Sequence, residues 1–380
     1  MAPILAAGIR TRMLSNVNGL TVHVLESGYE VPGRPAVLLL HGFPELAYSW
    51  RKVMLPLAAA GYHVIAPDRR GFGRTTGWND AYDGDLNSFS TLTMARDALA
   101  LVFALGHRRV AAVVGHDAGS PVAAWCSLMR PDVFRSVVMM SAPFSGAPAL
   151  PFDTADQDHG SGTGEPPDGA DIDAQLAALP RPRQYYMRYF CTREANANML
   201  NAPQGLHAFL RAYYHYKSAD WKLNKPFPLK ARTADELAKM PTYYVMDLGL
   251  GMAETVAREM PTAAAAAACH WLTDDELRVY SAEYARTGFQ GGLQAYRCIF
   301  DPKQIAELRL FSDRSVDVPS CFIAGDGDWG VYQTPGAAEE MRTRACTRMT
   351  GFHLVSGAGH WVQQEQPETV SALLTQFLRA

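Results

Sequence analysis

Short, almost wholly apolar runs punctuate the first 145 residues: "LTVHVLE" from Leu20, "AVLLLH" from Ala36, "YHVIAP" from Tyr62, "VAAVVG" from Val110 and "SVVMMSA" from Ser136. Helix-patterned stretches such as "TMARDALALVFALG" lie between them. A strand covered on both faces reads as a continuous apolar run, and parallel strands need a crossover helix, so this alternation predicts a mostly parallel sheet flanked by helices. The pattern then stops. The stretch 151–173, "PFDTADQDHGSGTGEPPDGADID", is acidic, rich in Gly and Pro and too polar to bury itself, which predicts an exposed loop.

From about 174 to 305 the text is helical, with "AQLAALPRPRQYYMRYF", "PQGLHAFLRAYYHYKS", "TADELAKM", "MAETVAREM", "TAAAAAACHW" and "DDELRVYSAEYARTG" as candidates and no alternating strand. Strands resume at "VPSCFIAG" (318–325) and "GFHLVSG" (351–357), each followed by a helix. The simplest organisation is one α/β core, residues 1–145 and 306–380, interrupted by a helical insertion at 146–305 that includes the 151–173 loop.

A chain of 380 residues has room for a large core with such an insertion. With 48% apolar and 19% charged residues it is an ordinary globular composition, and a net charge of -3 supplies no basic surplus for nucleic acid. The six cysteines, with no CxxC pair, read as reduced and mostly buried. The opening "MAPILAAGIRTRM" lacks the form of a secretory signal and no 18-residue uncharged apolar stretch occurs, so a cytoplasmic protein is expected.

Chemistry concentrates where strands end. In "VVGHDAGSP" (113–121) a strand meets a tight turn and a small-residue helix, the arrangement that usually presents a serine nucleophile; the central residue is Asp117. Gly115 and Gly119 flank it because a side chain at either place would clash in so sharp a bend. Two further acids follow a later strand in "GDGDWG", Asp328 with Asp326 as a competitor, and His360 follows the last strand in "GAGHW". Parallel strands share one carboxyl edge, so these residues can converge, and nucleophile–acid–histidine is the chain order of the α/β-hydrolase fold. The turn "HGFPE" (41–45) can aim the Phe43 N–H, with that of Ala118, at an oxygen that becomes anionic. His41 and Pro44 are counted with this substrate-binding turn, although His41, like His116, reads as a structural histidine.

A carboxylate attacking an ester or amide would form a high-energy anhydride. Its natural target is an electrophilic sp³ carbon, which gives an alkyl ester of the enzyme. Water deprotonated by His360, with Asp328 holding the imidazole, would cleave that ester, and the Phe43 and Ala118 N–H groups would stabilise its oxyanion. No metal or organic cofactor is needed.

The motifs "HGFPELAYSWR", "APDRRGFGRT", "VVGHDAGSPVAAW", "GDGDW" and "GAGHWVQQEQPE", in order over about 330 residues, resemble the epoxide hydrolase branch of the α/β-hydrolase superfamily, to which haloalkane dehalogenases are related. The resemblance implies a helical cap over the sheet, an epoxide substrate opened to a vicinal diol, and two cap tyrosines that hydrogen-bond the epoxide oxygen. The matching residues are Tyr186 in "YYMRYF" and Tyr296 in "GFQGGLQAYRCIF". One departure stands out: where such enzymes very often carry tryptophan after the nucleophile, this chain has Ala118, which removes an indole halide donor and weakens the dehalogenase alternative. A haloalkane or haloacid dehalogenase using the same Asp117, and a non-catalytic small-molecule receptor, are the competing readings. The expected partners are a small epoxide and water, with no nucleic acid and no membrane, and a second copy if the chain forms a homodimer.

Overall fold

In the computed structural model, which describes residues 5–151 and 172–380, every apolar run singled out in the sequence is a strand. The strands are β1 (Ile9–Val17), β2 (Leu20–Ser27), β3 (Ala36–Leu40), β4 (His63–Pro67), β5 (Ala112–His116), β6 (Val137–Met140), β7 (Arg183–Tyr185), β8 (Val245–Asp247), β9 (Ser320–Gly325) and β10 (Met349–Val355). Eight of them form one sheet in the order β1-β2-β4-β3-β5-β6-β9-β10. The β1–β2 and β2–β4 pairs are antiparallel, and all the others are parallel.

Alternation along the strands builds a layer on each face. Val37, Leu39, Val114, Val138 and Ile323 pack with Val53 and Leu57 of the helix Arg51–Ala59 and Leu374 of the helix Pro367–Arg379. Leu38, Leu40, Val113, Val137 and Phe322 pack on the other face with Ala98 and Leu101 of the helix Thr91–Ala104 and Val122 of the helix Gly119–Met129. Because β3, β5, β6 and β9 are buried along their whole length, they read as unbroken apolar runs.

Of the eight strands in the main sheet, the one that sequence reading misses is β1. It lies at the sheet edge, mostly exposed, and alternates too weakly to show. Arg10 and Arg12 on it reach the buried Glu26 of β2, so cross-strand charge stands in for an apolar pattern.

Between β6 and β9 the described chain is mostly helical. Two expectations are corrected there. The stretch "AQLAALPRPRQYYMRYF" is not one helix: Ile172–Ala177 ends before two prolines, Arg183–Tyr185 is β7, and only Tyr186–Phe190 is helical again, since proline has no N–H and clashes with a preceding turn. The region also contains a strand pair, β7 with β8, which is three residues long on each side and too short to show a period. Of the 151–173 loop, residues 152–171 lie outside the described residues, and Ile172 and Asp173 open a helix. The buried aromatic cluster that includes Phe43, Tyr186, Tyr296 and Trp361 joins this region to the carboxyl edge of the sheet. Among the described residues, no helix is long and apolar enough to cross a membrane.

Candidate active site

Asp117 follows β5 directly and sits at φ 49°, a left-handed conformation that Asp tolerates better than most residues. The bend is enforced by its neighbours. A Cβ on Gly115 would stand 2.1 Å from the Gly119 carbonyl oxygen, and one on Gly119 2.2 Å from that of Leu40, so both positions require glycine. The turn holds Asp117 over the carboxyl ends of β3, β5 and β6, where its N–H donates to the Met140 carbonyl (3.1 Å).

Each carboxylate oxygen of Asp117 has a defined neighbour. Oδ2 accepts the Phe43 N–H at 2.9 Å, and Oδ1 lies 3.5 Å from His360 Nε2. The other ring nitrogen of His360, Nδ1, is 3.0 Å from Asp328 Oδ1, which also accepts the Gly330 N–H at 2.7 Å. The competing Asp326 is exposed and, among the described residues, its side chain accepts just the Gly357 N–H, so geometry selects Asp328. Burial opposes the charge on Asp117, but the His360 hydrogen bond and charge, with Lys217 and His116, outweigh it and hold the carboxyl below the usual carboxylate range. Asp328 is lowered in the same way, against burial, by His360 and the Gly330 N–H.

Tyr186 and Tyr296 come together, with ring centroids 6.2 Å apart, and Tyr296 meets Phe43 edge-on at 5.6 Å. Burial, reinforced for Tyr296 by the Asp117 charge, pushes both phenols well above their ordinary range, so both hydroxyls carry their protons. The Tyr186 hydroxyl donates to Gln333 Oε1 (3.3 Å), as does that of Tyr185 (3.2 Å).

His41, grouped above with the substrate-binding turn, is corrected: its Nε2 accepts the Arg69 N–H (3.1 Å) and its Nδ1 donates to the Gly42 carbonyl (2.8 Å), leaving no polar group for a substrate. Burial and Arg69 push it down to about 4. Pro44 follows a cis peptide and its carbonyl accepts the Tyr214 hydroxyl. Ala118 is the residue preceding the helix Gly119–Met129.

A model of the alpha/beta hydrolase fold family matches residues 35–367. Epoxide hydrolase A of Mycobacterium tuberculosis is 32% identical over 386 residues, covering 98% of each chain, and epoxide hydrolase B of the same organism is 29% identical over 96% of each. The chain belongs to the epoxide hydrolase branch of the α/β-hydrolase superfamily. Among solved structures, an epoxide hydrolase from an endophytic Streptomyces superimposes with a TM-score of 0.76 at 28% identity, covering 98% of this chain and 96% of that one.

Two features of this hydrolase escape sequence reading. Lys217, the last residue of the helix Leu206–Lys217, reads as a solvated cation complementing a helix C-terminus. It is instead buried, its Nζ 5.0–5.9 Å from the ring centroids of Tyr213, Tyr243, Tyr244 and Trp361. Burial lowers its pKa while the charges of Asp117 and Asp328 oppose that, so it offsets part of the site's negative charge. The second feature is a buried network. Glu45 of the "HGFPE" turn meets His116 Nδ1 at 2.6 Å and accepts from the Gln363 and Gln364 amides, while His116 Nε2 is 2.7 Å from the His360 carbonyl.

Both nitrogens of His116 therefore face acceptors, which favours the imidazolium. Burial opposes that charge, Glu45 outweighs it, and the pKa is raised to about 8. An unfolded histidine titrates near roughly 6.5, so the stabilisation that the raised pKa brings is fully present below that pH and is lost as pH rises through about 8. The thermal midpoint should accordingly decline between about pH 6.5 and 8.5, and Glu45→Gln should flatten that decline in a melting series.

Proposed function

We propose that this hydrolase opens an epoxide to a vicinal diol through a covalent ester on Asp117. The observation that carries the reading is the placement of Asp117, with one oxygen on the Phe43 N–H and the other facing a histidine backed by Asp328. The segment 146–305 serves as the cap, bringing Tyr186 and Tyr296 over the sheet edge.

In the first half-reaction an Asp117 oxygen attacks an epoxide carbon from the side opposite the ring oxygen. The carbon–oxygen bond breaks, and the developing alkoxide takes a proton from Tyr186 or Tyr296. For this the Tyr186 hydroxyl leaves Gln333 and turns to the epoxide oxygen. In the second half, His360 Nε2 takes a proton from water as its oxygen attacks the ester carbonyl of Asp117. The Phe43 and Ala118 N–H groups hold the oxyanion, as Phe43 already holds Oδ2. Collapse expels the alcohol oxygen, which takes the proton from His360. The regenerated carboxylic acid returns its proton to the tyrosinate, so epoxide plus water gives diol with no net change in the protein.

The tyrosines give their proton in the first half and recover it only after the ester has been cleaved. Tyr186→Phe and Tyr296→Phe should each slow ester formation by about 10²-fold, leaving ester decay unchanged, in rapid-mixing measurements with a terminal aromatic epoxide. Formation at the wild-type rate in the double variant would remove them from the mechanism.

A further inference from the structure

The loop that carries His360 is fastened at three consecutive amides. The Gly359 N–H donates to Glu365 Oε2 at 2.9 Å, the His360 N–H to the Lys217 carbonyl at 2.9 Å, and the Trp361 N–H to Glu365 Oε1 at 2.9 Å. Glu365 Oε2 also accepts the Ala219 N–H at 2.8 Å. One carboxylate thus brackets the histidine on both sides and ties its loop to residues 217–219. The approach is close: a Cβ on Gly359 would lie 2.5–2.6 Å from backbone atoms of Lys217, Ser218 and Ala219. On the sheet side the His360 carbonyl is held by His116 Nε2 and the Ser141 hydroxyl. The imidazole therefore hangs from a residue whose own N–H and carbonyl are both engaged, and among the described residues Glu365 supplies the acceptors for the N–H groups on either side of it.

We propose that Glu365 is a positioning residue for ester hydrolysis: by fixing the backbone on both sides of His360 and stapling it to residues 217–219, it holds Nε2 where it takes the proton of the attacking water. The proposal rests on the epoxide reading above. It assigns Glu365 to one half-reaction only, since attack by Asp117 on the epoxide needs no base, whereas ester cleavage depends on where Nε2 stands. Burial pushes the Glu365 pKa up to about 7 against the three N–H donors, and the ionised form suits the task because its two oxygens accept all three. An amide in its place turns an NH₂ group toward one of those donors and loses the bonds on that side.

The test is Glu365→Gln, mixed rapidly with styrene oxide, quenched and read by intact mass as ester per chain against time. Ester should form within about twofold of the wild-type rate and decay about tenfold or more slowly, the order expected when a catalytic group shifts by a fraction of an ångström. Steady-state kcat and KM then fall together. One ester per chain shows that the variant's site is assembled, and Glu365→Asp, which keeps both oxygens but shortens the reach, carries the same measurement if the amide variant does not fold. Unchanged decay, or formation and decay slowed in proportion, overturns the positioning role. A wild-type chain that formed no ester would overturn the epoxide reading as well, so the two failures are distinct.

Discussion

Asp117→Asn should lower kcat by at least about 10⁴-fold while leaving the chain folded, the scale seen when a covalent nucleophile is removed from a hydrolase. The substitution is well matched to the site. Asn adopts the left-handed backbone of φ 49° as readily as Asp, so the turn after β5 carries no new strain. Its amide oxygen can still accept the Phe43 N–H, as Oδ2 does now. What is lost is a carboxylate that the surroundings keep ionised, and a neutral amide does not displace an epoxide oxygen. Diol formation measured beside the thermal midpoint checks this. Full turnover with a native melting curve would exclude the covalent route.

The second large effect is at the base. His360→Gln removes the group that takes the proton from water but leaves Asp117 and both tyrosines untouched, so the first half-reaction proceeds and the second stalls. Turnover should fall by at least about 10³-fold, with near-stoichiometric ester visible by intact mass. The mass of the adduct also identifies the substrate class. Ring opening adds the whole epoxide, whereas displacement of a halide adds the substrate less HX. A dehalogenase would show the second pattern, and a receptor with an idle site would show no adduct with either.

The residues of the site were legible in the sequence because each lies within a few residues of a strand end, and strand ends are marked by where apolar runs stop. "VVGH" breaks into "DAG" at Asp117, "CFIAG" into "DGDW" at Asp328, and "HLVSG" into "AGHW" at His360. Sequence favoured Asp328 with Asp326 as a competitor, and coordinates removed the competitor, because, of two acids only two residues apart, only one turns inward. The break in the "AQLAALPRPRQYYMRYF" stretch was visible as two prolines, yet its outcome, a strand ending at Tyr185 and a helix starting at Tyr186, depends on pairing with β8 some 60 residues away. The edge strand β1 stayed hidden because its partner pays part of its stability through Glu26 and not through an apolar face.

Lys217 and Glu365 mark the boundary most sharply. Each has an ordinary sequence context, a cation at a helix end and an acid in a polar run, and nothing local distinguishes them from solvated surface charges. Their environment is made by chain segments far apart in the sequence: Tyr213 of the helix Leu206–Lys217, Tyr243 and Tyr244 of the turn before β8, and Trp361 enclose Lys217, and Glu365 meets Ala219 across 146 residues. The sequence by itself determined the parallel sheet, the turn at Asp117 and the kind of electrophile a carboxylate there can attack, because backbone sterics and periodic burial act over short spans. Only the tertiary structure removed Asp326 as the competing acid and showed which charges are buried beside the site, because desolvation and hydrogen bonding depend on neighbours that folding brings together.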